Sequence, residues 1–99
     1  MVSIQRTSIA EGDSAVAAQA NRLGILREAL GLSPSQMADR AGIDRTSWGR
    51  FESGKRPVTI DAILRLTTAY DCTADFILRG SFAGMPGDLR DRILRFLDK

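Results

Sequence analysis

Apolar residues recur at helical spacing in six stretches of this chain, each bounded by residues that start or stop helices. From about Ser14 to Leu30, Val16, Ala20, Leu23, Leu26, Ala29 and Leu30 form one stripe, and Gly31 ends it. In the second stretch Ser33 is an N-cap, Pro34 takes the first helical position and Gln36 completes a capping box. Met37, Ala38 and Ala41 line the inner face, and Gly42 closes the helix. Ile43 plugs the turn. Asp44 caps a third helix that runs to about Ser53, ended by Gly54. Thr59 caps the fourth, with Ile60, Ile63, Leu64 and Thr67 inward and Leu66 and Tyr70 at the flanks. Thr73 caps a short fifth, Ala74 to Arg79, in which Phe76, Ile77 and Leu78 close the core. Ser81 to Gly87 holds two glycines and Pro86 and reads as a linker. Asp88 then caps a last amphipathic helix carrying Leu89, Ile93, Leu94, Phe96 and Leu97. Residues 1–13 lack lasting periodicity and read as a flexible arm. No segment reads as a strand. The expected fold is all-α: a compact five-helix domain over 14–80, with an additional C-terminal helix within 81–99.

Helices two and three form the motif, residues 33–54, around which the rest is arranged. Trp48 and Phe51 lie three apart and share a face, so they pack inward. Arg45, Thr46, Gly49, Arg50 and Ser53 are left on the opposite face. That face is cationic and narrow, and its glycine lets another surface come close. Two short helices joined by a tight turn, the second with a basic outer face, suit the major groove of double-stranded DNA, which admits one helix. Lys55 and Arg56 follow in the loop, within reach of phosphates.

The runs Leu26-Arg27-Glu28-Ala29-Leu30-Gly31-Leu32-Ser33, Gln36 to Ile43, Phe51 to Pro57 and Asp75-Phe76-Ile77-Leu78 occur in an order that resembles the phage-repressor and Cro/C1-type helix-turn-helix, the XRE family. The resemblance covers more than half of the chain. It implies a lambda-repressor-like domain that binds a DNA operator. Carried over position by position, it makes Arg45, Thr46 and Arg50 base-contacting residues. It makes Ser33, Ser35, Ser47, Ser53, Lys55 and Arg56 phosphate-contacting residues. One departure falls at Pro34, where the family often has a glutamine that anchors a phosphate; the backbone N–H of Ser35 and the helix dipole can serve instead. The resemblance also implies an ion pair between Arg27 and Glu52, tying helix one to the end of helix three. Some repressors use an N-terminal arm on DNA, which Gln5 and Arg6 would do here. The last helix either packs back on its own domain or pairs with a second chain; because symmetric dimers suit palindromic operators, pairing through Leu89, Ile93, Leu94, Phe96 and Leu97 is the expectation.

Composition narrows the function further. The chain has 99 residues, 43% of them hydrophobic, enough for one modest core. The formal net charge of +2 is too small to imply a nucleic acid by itself. Its distribution says more: from Asp44 to Arg56, Arg45, Arg50, Lys55 and Arg56 face only Asp44 and Glu52. There is no histidine and a single cysteine, Cys72, so neither an intrachain disulfide nor a zinc site of Cys and His can form. Cys72 reads as a small buried hydrophobe. Paired carboxylates in an apolar setting, glycine-rich phosphate loops and metal-ligand spacings are all missing, so no enzyme, cofactor or metal is expected. No apolar run is long enough to span a membrane, and the N-terminus does not read as a signal peptide. A cytoplasmic regulator, bacterial or phage-encoded, is the expectation, most simply a repressor. Two alternatives use the same fold: an antitoxin whose tails dock a toxin, and a protein-interaction module that has lost DNA binding.

Overall fold

The computed structural model describes the backbone of residues 3–98 and the side chains of residues 15–98. Its elements are six helices: α1 (Ser3–Ala29), α2 (Pro34–Ala41), α3 (Arg45–Glu52), α4 (Ile60–Tyr70), α5 (Ala74–Arg79) and α6 (Gly87–Leu97). Four of them start on a side chain that accepts a backbone N–H three residues on. Ser33 Oγ, Asp44 Oδ2, Thr59 Oγ1 and Thr73 Oγ1 accept from Gln36, Ser47, Ala62 and Phe76, each at 3.1 Å. Gln36 returns a bond to the Ser33 N–H at 2.9 Å, which completes the capping box. Between α2 and α3, Gly42 sits at φ +69° and its N–H closes α2. A Cβ there would be strained by that φ, which is why the turn takes glycine, and it would also press on the Arg65 guanidinium at 3.0 Å, a flexible end that could shift aside.

Leu23, Leu26, Met37, Trp48, Leu66, Ile77 and Ile93 fill the centre and are almost fully buried. They come from all six helices, so one core holds the whole bundle. Arginines fasten the helices to one another by capping neighbouring C-termini. Arg22 of α1 donates Nε–H and Nη2–H to the Ile77 and Leu78 carbonyls at the end of α5, at 2.9 and 2.8 Å. Arg92 of α6 donates Nε–H to the Ala29 carbonyl at the end of α1, at 2.7 Å. Arg65 of α4 donates Nη1–H to the Gly42 carbonyl at 3.2 Å. Each places a cation where the helix macrodipole is negative and the last carbonyls lack intrahelical partners. Tyr70 of α4 donates its hydroxyl to the Met37 carbonyl at 2.7 Å, joining α4 to α2.

Several details differ from the sequence pattern. α1 begins at Ser3, well ahead of Ser14, because nothing before Pro34 forbids a helix and Gly12 alone does not break one. The segment read as an arm thus has helical backbone from Ser3 onward, while the side chains of Gln5 and Arg6 lie outside the described residues. In α4 the buried residues are Ala62, Ile63 and Leu66, while Ile60 and Leu64 are 78% and 61% exposed. Five of the seven residues from 60 to 66 are apolar, on more than one side of the helix, so they alone leave the phase open; Tyr70 and the α2 contact settle it. Leu78 is exposed rather than in the core. Phe82 takes up that role, its ring centroid 5.6 Å from that of Phe76, and Met85 is buried behind it. The stretch read as a linker is therefore pinned to the core. Pro86, not Asp88, is the N-cap of α6, and it contributes no side-chain bond; Asp88 sits in the first turn and meets the helix dipole.

The largest correction concerns α6. Leu89 and Ile93 are buried in the chain's own core, with Ile93 at 0% exposure, and α6 lies along α1. These two residues therefore offer almost no surface to a second chain. Burying a side chain such as Ile93 within the domain stabilises it by roughly 1.5–3 kcal/mol, and an already packed partner satisfies the helix. Leu94 and Leu97 remain about half exposed, and Phe96 is half-buried.

Candidate nucleic-acid interface

The outer face of α3 is built by what lies under it. Trp48 and Phe51 are buried, and they fix the rotation of the helix about its axis. On a helical wheel the outward residues Arg45, Gly49, Ser53, Thr46 and Arg50 span an arc of about 140°. All five are exposed. A Cβ at Gly49 would meet no atom of the described residues within 4 Å, so nothing among them requires glycine there.

A second device holds α3 along its length. Arg27 of α1 donates Nε–H to Glu52 Oε1 and Nη2–H to Glu52 Oε2, both at 2.8 Å. Its Nη1 donates to the Leu32 carbonyl at 2.9 Å. Glu52 Oε1 also accepts the Trp48 indole N–H at 2.8 Å. One carboxylate thus ties the buried tryptophan, the end of α3 and the last turn of α1 together. The Glu52 hydrogen bonds raise the Arg27 pKa above its ordinary value, against the desolvation that lowers it. A fork-to-fork pair of this kind carries directional as well as electrostatic restraint.

Arg45, at the start of α3, is not free. It donates Nε–H to Asp39 Oδ1 at 3.0 Å and Nη2–H to Asp39 Oδ2 at 2.7 Å. Asp39 is on α2, and both side chains are more than half exposed. These bonds hold the Asp39 carboxyl below the usual carboxylate range and raise the Arg45 pKa. Pattern reading missed Asp39. The available signal was an acid on the outer face of α2 six residues before an arginine that opens α3, a separation the tight turn folds into contact.

The expected phosphate contacts fall on both flanks of α3. Ser47 and Arg56 line a groove that runs from the Gly42 turn to the start of α4. Ser53 and Lys55 line another, shared with Asn21 of α1. The N–H groups of Lys55 and Arg56 both bond the Arg50 carbonyl, at 2.9 and 3.2 Å, which curls the loop tightly round the end of α3. Ser33 and Ser35 sit exposed at the start of α2, where Ser33 Oγ is already engaged as a cap. Thr46 is exposed beside Arg45. Among the described residues no group of three or more His, Cys, Asp or Glu could hold a metal ion, and no helix is long and apolar enough to cross a membrane.

The sequence model of a helix-turn-helix domain matches residues 20–76. The chain belongs to the XRE-like helix-turn-helix family. Two Bacillus subtilis (strain 168) proteins are similar to it. The uncharacterized HTH-type transcriptional regulator YobD is 32% identical over 78 residues, covering 79% of this chain and 70% of that protein. The SPbeta prophage-derived uncharacterized HTH-type transcriptional regulator YonR is 34% identical over 62 residues, covering 63% of this chain and 57% of YonR. No solved structure matches significantly. The matched span runs from within α1 through the first half of α5, so the family domain takes in the whole α2–α3 unit and the part of α1 that carries Arg27.

Proposed function

We propose that this helix-turn-helix protein is a sequence-specific double-stranded DNA-binding transcriptional regulator that reads the major groove with α3. The observation that carries the reading is the exposed, cationic face of Arg45, Thr46 and Arg50, set on a helix whose other side is locked by Trp48, Phe51 and the Arg27–Glu52 fork. A rigid helix with two guanidinium groups and a bare backbone at Gly49 is what base readout needs: close approach and little ordering cost on binding. Ser47, Ser53, Lys55 and Arg56 flank it as phosphate contacts, with Ser33 and Ser35 at the α2 N-terminus.

The protein acts as a homodimer on a palindromic operator, and as a repressor by covering that operator. With Leu89 and Ile93 committed to the core, the dimer contact on α6 reduces to Leu94, Leu97 and the open part of Phe96. The similarity to YobD and YonR, both named as HTH-type transcriptional regulators, favours a regulator over an antitoxin. The exposed cations on α3 argue against a module that has lost DNA.

Selection of bound sites from random duplex DNA tests the reading. The expected result is a palindromic consensus with G·C pairs at the positions read by Arg45 and Arg50, bound with strong salt dependence. A protein that binds no duplex, or binds all duplexes alike at every salt concentration, would overturn it.

A further inference from the structure

We infer that Asp39 is a specificity-determining positioning residue, which aims the Arg45 guanidinium at a guanine. The inference rests on the reading of Arg45 as a base contact. A guanidinium offers two pairs of parallel donors: the side pair on Nε and Nη2, and the end pair on Nη1 and Nη2. Asp39 takes the side pair, with Oδ1 on Nε and Oδ2 on Nη2. The end pair is left open, and it matches the O6 and N7 acceptors of guanine in the major groove. The carboxylate therefore does not use up the reading edge. It fixes the plane of the guanidinium and the direction of the remaining donors.

Folding stability does not account for the pair, since both side chains are largely exposed and such pairs contribute little. Electrostatics make it costly as well, because a carboxylate on a DNA-facing surface repels phosphates and weakens binding to every sequence. An acid in that place therefore works against general affinity and toward discrimination. Arg50 has no such partner among the described residues, so its long side chain is ordered by DNA alone. The two arginines thus differ: Arg45 is aimed before it meets DNA.

The test compares D39A, D39N, R45A and D39A/R45A with the unaltered protein. Probes are the tightest duplex selected from a random pool, all its single base-pair variants, and an unrelated duplex of equal length. Circular dichroism first verifies folding, which exposed substitutions should leave intact. D39A should lower discrimination for guanine at one position by roughly fivefold or more, a sizeable part of a bidentate contact. Binding to the unrelated duplex should hold or tighten. D39N, which keeps the shape but loses the charge, should lose discrimination at the same position. D39A should change nothing further in the R45A background. If R45A alters the preference and D39A does not, aiming is wrong and the reading of Arg45 stands. If D39A tightens binding to the selected duplex with discrimination intact, Asp39 masks Arg45 and the inference falls. If R45A itself keeps every preference, the base-contact reading fails and this inference with it.

Discussion

Arg27 and Glu52 meet edge to edge, with two hydrogen bonds of 2.8 Å spanning twenty-five positions of sequence. The Glu52 carboxylate also receives the Trp48 indole N–H, so the pair is the floor on which α3 rests. Replacing Glu52 by Ala strands a half-buried guanidinium and an indole N–H at once. The expected loss is about 3 kcal/mol, the low end of the range for breaking a buried pair, since part of each side chain reaches water. Urea denaturation of E52A measures it, and an unshifted midpoint would show that the pair does not hold the fold.

Reading and anchoring leave different marks on binding. R45A or R50A should cost about 1–3 kcal/mol on the selected site, concentrated at particular base pairs. K55A should weaken all duplexes alike and lower the salt slope by about one. Titrations at several salt concentrations, on matched and mismatched duplexes, separate the two. Arginine variants that lose affinity uniformly would remove α3 from the groove.

The two faces of α6 predict opposite consequences. I93A cuts a hole in the core and should destabilise the monomer by about 3 kcal/mol. L94D changes an exposed position and should leave the denaturation curve nearly unmoved, yet convert a dimer to a monomer in sedimentation. A dimer that survives both L94D and L97D lies on some other surface.

Cys72 is 3% exposed, and burial pushes its thiol up from 9.0 to about 11. A folded pKa raised above the unfolded one means stability that is whole below pH 9 and drains away as pH rises toward 11. Denaturation midpoints measured across that window should fall with pH, and C72A should flatten the trend. Near neutral pH an alkylating reagent should modify the native thiol far more slowly than the urea-unfolded one.

Local chemistry was readable in the residues themselves, whereas of the long-range geometry the Arg27–Glu52 pair was legible only through the family resemblance. Ser33, Asp44, Thr59 and Thr73 cap as their spacing suggests, because a cap needs only a side chain and an amide three residues away. Trp48 and Phe51 turn inward because α3 has no other apolar residue to choose. By contrast, the apolar residues Ile60, Ala62, Ile63, Leu64 and Leu66 suit more than one rotation of α4, and packing against α2 selects Ala62, Ile63 and Leu66. α6 posed the same problem: two apolar edges, of which one could be buried, with nothing local to choose between them. Arg22 and Arg92 find carbonyls more than fifty positions away, and no spacing rule reaches that far. The partnership of Asp39 and Arg45 exists only once the turn at Gly42 sets the angle between their helices.

Gly49 shows where the folded chain and its task want different residues. A methyl would fit there without touching any described residue, and alanine in a helix interior is favoured over glycine by roughly 0.5–1 kcal/mol. G49A should therefore melt later than the natural protein. If the groove wall lies against that backbone, the same change should also bind operator more weakly. The protein would then be running slightly below its own best thermal tolerance, with the gap between the two melting curves measuring the room it keeps for a visitor.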